Sequence, residues 1–352
     1  MKRKREPQRG KVSGGIATLV ILLLIVAYTL LLFGDTIIRT ECLFSGFYQI
    51  DREESSPVTA EEWSVDAELD FVTSQTLMTG SPHGLILRRC SKIILLDWEN
   101  GDVLWETTHL NSLTNILYNS LDDTVYARGY DHVHAVDPAN GRLKWSTEEA
   151  ALLRSRTYLL FARGPEIYMH IGPRRGFYSI DSVSSKIDEL STLSPNTVLV
   201  DSQKMYTVDT STTHTLQALD RNTGHLLWDV DLSSQCCYSI LMLGRYIVLN
   251  GAPEGRQPVI IDTDNGQIIW KADQVRIIAN VEFDDGYAYA LDSTGRVSQI
   301  NLSSGATNEI IQLPVDYPAN GPSKHYYLAV HDSKLAVYYS EDQKIVVYNV
   351  AT

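Results

Sequence analysis

The chain has 352 residues and a formal net charge of −13. Its first fifteen residues carry Lys2, Arg3, Lys4, Arg5, Arg9 and Lys11 against Glu6, a local +5, which leaves −18 on the remainder. The length suits a membrane anchor followed by one large all-β domain. The acidity excludes nucleic acid as a partner, because affinity for phosphates is supplied by Lys and Arg.

Residues 1–15 read as a basic cytoplasmic tail. From Ile16 to Phe33 the chain is free of charge for eighteen residues, close to the number of helical residues that cross ~30 Å of hydrocarbon. A transmembrane helix is therefore expected over 16–38. The basic residues in front of it, with only Arg39 close behind, place the N-terminus in the cytoplasm and the rest outside. The apolar run is longer than a signal-peptide core, and Phe33-Gly34-Asp35 offers no small-x-small cleavage site, so retention as an anchor is expected. No lipobox precedes Cys42. Residues 39–61 show no sustained period of 2 or 3.6 and read as linker.

From residue 62 the chain repeats. The frame Leu95-Leu96-Asp97-Trp98-Glu99-Asn100-Gly101-Asp102-Val103-Leu104-Trp105 recurs at 135–145, 218–228 and 260–270. Asp97, Gly101 and Trp105 thus correspond to Asp137, Gly141 and Trp145, to Asp220, Gly224 and Trp228, and to Asp262, Gly266 and Trp270. The wider gap between the second and third copies holds a degenerate one, with Asp181, then Ser185 in the glycine place and Glu189 in the tryptophan place. Another follows at Asn301 and Gly305 without a tryptophan. A period near forty residues marks propeller blades.

Each frame position has a physical reason. Two alternating runs around a Gly are a β-hairpin, the Gly taking the positive φ that the turn requires. The Asp can bond the turn's own amides. The Trp is a large packing group between neighbouring blades. Two further β-rich runs precede each hairpin, giving four strands per repeat, and radial stacking buries both faces of such sheets.

The last repeat stops at Thr352 one strand short. Glu62-Trp63-Ser64-Val65-Asp66 resembles Leu227-Trp228-Asp229-Val230-Asp231, a closing strand without its hairpin. The expected fold is all-β, a seven-bladed propeller over 62–352 whose final blade is completed by the Trp63 strand; eight blades is the alternative count.

The frame, as in ALDRNTGHLLW and AVDPANGRLKW, resembles the PQQ-like repeat of quinoprotein dehydrogenases and of BamB-like outer-membrane assembly propellers. The resemblance covers 62–352. It implies the fold strongly and function weakly, since one architecture hosts enzymes, scaffolds and binding modules. In the resembling alcohol dehydrogenases an adjacent-cysteine disulfide lies against PQQ. Cys236 and Cys237 are adjacent here; a structural cysteine pair is the preferred reading, and a vicinal disulfide, which an oxidising compartment would allow, is the alternative. The resembling enzymes bind PQQ and Ca²⁺ through long insertions, whereas these repeats are bare, so no cofactor is expected. Cys42 and Cys90 offer no basis for pairing.

No catalytic constellation emerges. His132-x-His134 lacks a third ligand at recognised spacing, and no paired carboxylates can be singled out. Arg174-Arg175 is read as a solvated turn and Asn301-Leu302-Ser303 matches a glycosylation sequon. The expected function is a membrane-anchored extracytoplasmic platform that holds another envelope protein or a polymer. A small quinoprotein oxidoreductase and a ligand-binding ectodomain are the alternatives.

Overall fold

A computed structural model describes residues 52–53, 61–67, 69 and, from 77 to 350, all but 108–109, 111–112, 130–131, 148–156, 164–165, 172–176, 191–196, 210–214, 233–238, 251–257, 273–276 and 316–325. The predicted anchor, 16–38, lies outside them, as do Cys42, Cys236, Cys237 and Arg174-Arg175. Among the described residues no helix is long and apolar enough to cross a membrane.

The described residues form seven antiparallel sheets. Two short strands come first, β1 (Arg52–Glu53) and β2 (Glu61–Asp66). The first blade is β3 (Met78–Ser81), β4 (Gly84–Arg89), β5 (Lys92–Leu96) and β6 (Val103–Glu106); the second is β7 (Asn115–Asn119), β8 (Thr124–Arg128), β9 (Val133–Val136) and β10 (Leu143–Ser146). The third is β11 (Thr157–Arg163), β12 (Glu166–Ile171), β13 (Phe177–Asp181) and β14 (Ile187–Glu189); the fourth is β15 (Thr197–Val200), β16 (Lys204–Asp209), β17 (Thr215–Asp220) and β18 (Leu226–Asp231). The fifth is β19 (Ser239–Leu243), β20 (Tyr246–Asn250), β21 (Val259–Asp262) and β22 (Ile268–Lys271); the sixth is β23 (Glu282–Asp284), β24 (Tyr287–Leu291), β25 (Arg296–Asn301) and β26 (Thr307–Gln312). The last contains β27 (Tyr326–His331), β28 (Lys334–Tyr339) and β29 (Lys344–Asn349).

The seventh blade is finished by β2, which pairs with β29 with Trp63 opposite Val347. The ring is thus closed by one strand from each end of the sequence, as the Trp63 motif predicts. Within the stretch read as linker, Arg52–Glu53 differs from expectation: it pairs with β2, Arg52 opposite Val65, and makes this sheet five-stranded. The first strands of the blades are innermost, β3 lying between β27 and β7, and β23 beside β27. Blade faces bury Val, Ile, Leu and Ala almost completely, as at Ile86, Ile93, Val125, Ala135 and Ile260.

The repeat frame builds the seams between blades. In each hairpin the frame Asp accepts from its own turn, Asp97 Oδ1 from the Glu99 amide at 2.7 Å and Asp137 Oδ1 from the Ala139 amide at 2.9 Å. The Gly amide donates back to the Asp carbonyl, 2.9 Å at Gly101 and at Gly141. The Trp indole then reaches the next blade. Its Nε1–H donates to the carbonyl of the residue after the next frame Asp: Trp63 to Trp98 at 2.8 Å, Trp105 to Pro138 at 2.8 Å, Trp145 to Ser182 at 2.7 Å and Trp228 to Thr263 at 3.0 Å. The indole also lies on the next frame Gly: a Cβ on Gly101 would stand 2.8 Å from Trp63, and one on Gly266 2.8 Å from Trp228. Two requirements, positive φ and a flat surface for the ring, therefore converge on one residue type.

The third blade departs from this pattern. Its hairpin has Ser185 at φ 57° in the glycine place, and β13 pairs with β14 without the register shift seen in the second, fourth and fifth blades. Ser179 therefore faces Asp188, where Ala135 faces Trp145. Asp188, rather than the Glu189 found by counting, stands across from the frame position. No indole reaches toward the fourth blade, and a Cβ on Gly224 would meet nothing within 4 Å.

Candidate functional site

The frame residues singled out from the sequence, Asp97, Gly101, Trp105 and their counterparts, are scaffold: they fill turns and seams. Trp63 behaves as a frame Trp. His132 and His134 have stacked rings 5.8 Å apart, and His134 Nδ1 bonds Ser146 Oγ at 2.7 Å. Among the described residues no group of three His, Cys, Asp or Glu is placed to hold a metal ion. Asn301 Oδ1 accepts from the Ser303 and Ser304 amides, each at 3.0 Å, so its side chain organises the hairpin turn. Cys90, at φ 48° between β4 and β5, is disulfide-bonded, to a cysteine outside the described residues.

Among the described residues a cavity of about 490 Å³ lies on the axis, where the inner strands of several blades turn back. Its wall is built from distant segments: Thr79 and Pro82 of the first blade, Tyr118 of the second, Arg245 and Tyr246 of the fifth, Glu282, Phe283 and Tyr287 of the sixth, and Val330 and His331 of the seventh. Gly80 belongs to this wall, and a Cβ there would fall 2.0 Å from the Val330 carbonyl oxygen. Only a glycine lets the two inner strands approach this closely.

Polar groups converge at this end. Asn280 ties the sixth blade to the seventh, donating to the Leu328 carbonyl at 3.0 Å and accepting the Leu328 amide at 2.7 Å. Its Nδ2 also donates to Glu282 Oε1 at 2.5 Å. Burial pushes the Glu282 carboxyl up to about 8, the neighbouring Asp284 adding to the rise and the Asn280 bond opposing it. Asp284 accepts the Asp332 amide at 2.7 Å and lies 3.5 Å from His331 Nδ1. Arg245 is paired with Asp262 and lies 3.7 Å from Asp264. Tyr246 and Phe283 stack with ring centres 5.9 Å apart at 17°. Nearby, Asp123 accepts from Tyr118 Oη at 3.0 Å and bonds His83 Nε2 at 3.0 Å.

None of these axial residues stands out in the sequence. The one available signal is Glu282, a charged residue before the Asp285-Gly286 turn on a strand that must lie innermost. Such a signal is visible only once the inner strand of each repeat is assigned.

The sequence matches the family described as outer membrane protein assembly factor BamB over residues 89–171 and 181–351. No curated protein matches it. Among solved structures, a chain of a mitotic checkpoint complex superposes with a TM-score of 0.57 at 11% identity, covering 87% of this chain and 100% of that one. The β-propeller domain of Cps50 (Swd1) from Myceliophteria thermophila gives 0.54 at 13% identity, covering 81% and 98%. BamB from Moraxella catarrhalis gives 0.48 at 11% identity, covering 85% and 100%. At these identities the two superpositions above 0.5 bear on the propeller fold alone.

Proposed function

The chain belongs to the family of outer membrane protein assembly factor BamB, and from that membership we propose that it is a membrane-anchored, extracytoplasmic platform that holds another protein of the cell envelope. The observation that carries this reading is the family match along the ring. Short hairpin turns such as 99–101 and 139–141 support it, because they leave the disc face bare for a partner. The disulfide at Cys90 accords with an oxidising compartment, where such bonds persist. The basic tail and apolar segment 16–38 supply the proposed anchor.

We assign the protein no catalytic role and no cofactor. Two measurements test the whole. Protease added to intact cells and to spheroplasts should digest the propeller only once the cell exterior or periplasm is reachable, whereas protection until lysis would overturn the topology. A photo-crosslinking residue at exposed turn positions such as Leu121 or Val183 should trap one discrete envelope protein in living cells, and crosslinks to no protein would overturn the platform. Titration with PQQ and Ca²⁺, followed by tryptophan fluorescence and dye reduction with alcohols, should show neither binding nor turnover; saturable binding with turnover would make this a quinoprotein instead.

A further inference from the structure

Independently of the platform reading, we propose that the axial cavity is a binding site for an organic ammonium cation, held by the Glu282 carboxylate and by the aromatic rings around it. A cavity of about 490 Å³ has the size of a small-ligand site. Glu282 lines it, half-buried, with Oε1 taken by Asn280. No cation among the described residues pairs with it.

The other charges facing the cavity are already committed. On its own hairpin, Asp284 is held by the Asp332 amide and by His331 of the seventh blade, and exposed Asp285 adds only to the negative field. Across the cavity, the guanidinium of Arg245 in the fifth blade is engaged by Asp262. Glu282 is the carboxylate left for a ligand.

A carboxylate withdrawn from water is unfavourable unless it keeps a proton or receives a cation. An anionic ligand would add repulsion from Asp284, and a neutral one would leave the charge uncompensated. The walls favour an organic cation over a bare metal ion. Tyr118, Phe283 and Tyr287 line the same cavity, and aromatic faces attract ammonium groups while covering their alkyl bodies. No third ligand-type side chain joins to make a metal site among the described residues.

The raised Glu282 value adds a signature. Near neutrality the site holds a proton where the cation would sit, so binding must expel it. The cation stands either at the end of a lysine side chain from a partner or on a free alkylamine, and two probes separate these sources.

The experiment is calorimetric titration of the full-length protein at about pH 7 with butylammonium and with Nα-acetyl-lysine methylamide, in buffers of different ionisation enthalpy. Saturable binding with release of close to one proton is expected, and neutral butanol should not bind. Tighter binding of the lysine derivative indicates a partner's side chain; equal or tighter binding of butylammonium indicates a free amine. Glu282→Gln should weaken binding about tenfold or more and abolish proton release. Glu282→Asp retains the charge and should retain the release with weaker binding, which separates loss of the site from loss of the fold. Failure of both amines to bind, or unchanged affinity in Glu282→Gln, would overturn the assignment.

Discussion

At Gly141 the backbone φ is +70° and a Cβ would lie 2.7 Å from the Trp105 ring, whereas at Gly224 φ is +71° and nothing lies within 4 Å of such an atom. The two positions separate the backbone demand of the hairpin from the packing demand of the seam. Gly224→Ala should cost only the left-handed conformation, about 1–2 kcal/mol. Gly141→Ala should cost that plus displacement of an indole, about 1–3 kcal/mol more. Urea unfolding of the two variants checks this, and equal losses would mean that the ring gives way freely. Glu282 poses a different residue-scale question, because its folded-state carboxyl is pushed up to about 8 from an unfolded value of about 4.3. Between those values the folded state holds a proton that the unfolded chain has released. The stability this contributes is complete below the unfolded value and is lost as pH rises through the folded one, on the order of a few kcal/mol over the window. Relative to Glu282→Gln, the native protein should therefore lose stability as pH rises from about 5 to 9. A flat difference in unfolding free energy would show the carboxyl to be ionised throughout.

Between elements, the seams follow from which outer strand carries an indole. The second blade sends Trp145 to the Ser182 carbonyl of the third, while the third sends nothing comparable to the fourth and leaves Gly224 open. Its outer strand β14 is also only three residues long. Local opening draws on such thinly packed edges. Amides of β14 should accordingly exchange with deuterium faster than those of β10 and β18, by roughly tenfold for each 1.4 kcal/mol of missing seam energy. Equal protection would mean that the indole bonds do not govern edge stability. This seam also shows where sequence reading stops. Asp, Gly and Trp at fixed spacing reveal the hairpins, the period and the closing strand, because each residue type answers a local steric demand. Counting from Asp181 nevertheless points to Glu189, while the register sets Asp188 opposite Ser179. The reason is a bulge, present in blades that carry the Trp and absent here, which consumes one residue without any compositional mark. The axial cavity is illegible for a related reason. Its wall joins Tyr118, Arg245, Glu282 and His331, which come from four blades, and the inner strands and the turn that bear them share no motif.

The whole ring depends on one strand that arrives from the far end of the chain. Trp63 is 3% exposed and donates to the Trp98 carbonyl across the seam between the last blade and the first. Its neighbour Glu62 binds both Lys334 and Asn349, and β1 caps the outer edge of β2. In an open array, losing one seam would trim an end. In a closed ring it exposes two blade faces at once, so the closing seam carries more than its own contacts. Because β2 pairs with β29 across nearly the full chain, that contact also forms against the largest loop-closure entropy in the fold. Trp63→Ala should therefore cost at least the ~3–5 kcal/mol typical of a buried Trp. Trp145→Ala, at a partly exposed indole in an interior seam, should cost less. The two variants should also fail differently. Limited proteolysis followed by mass spectrometry should show early cleavage within 50–66 in Trp63→Ala, as β1 and β2 detach together, and no such early site in Trp145→Ala. Matching cleavage patterns would mean that β29 alone holds the closing strand.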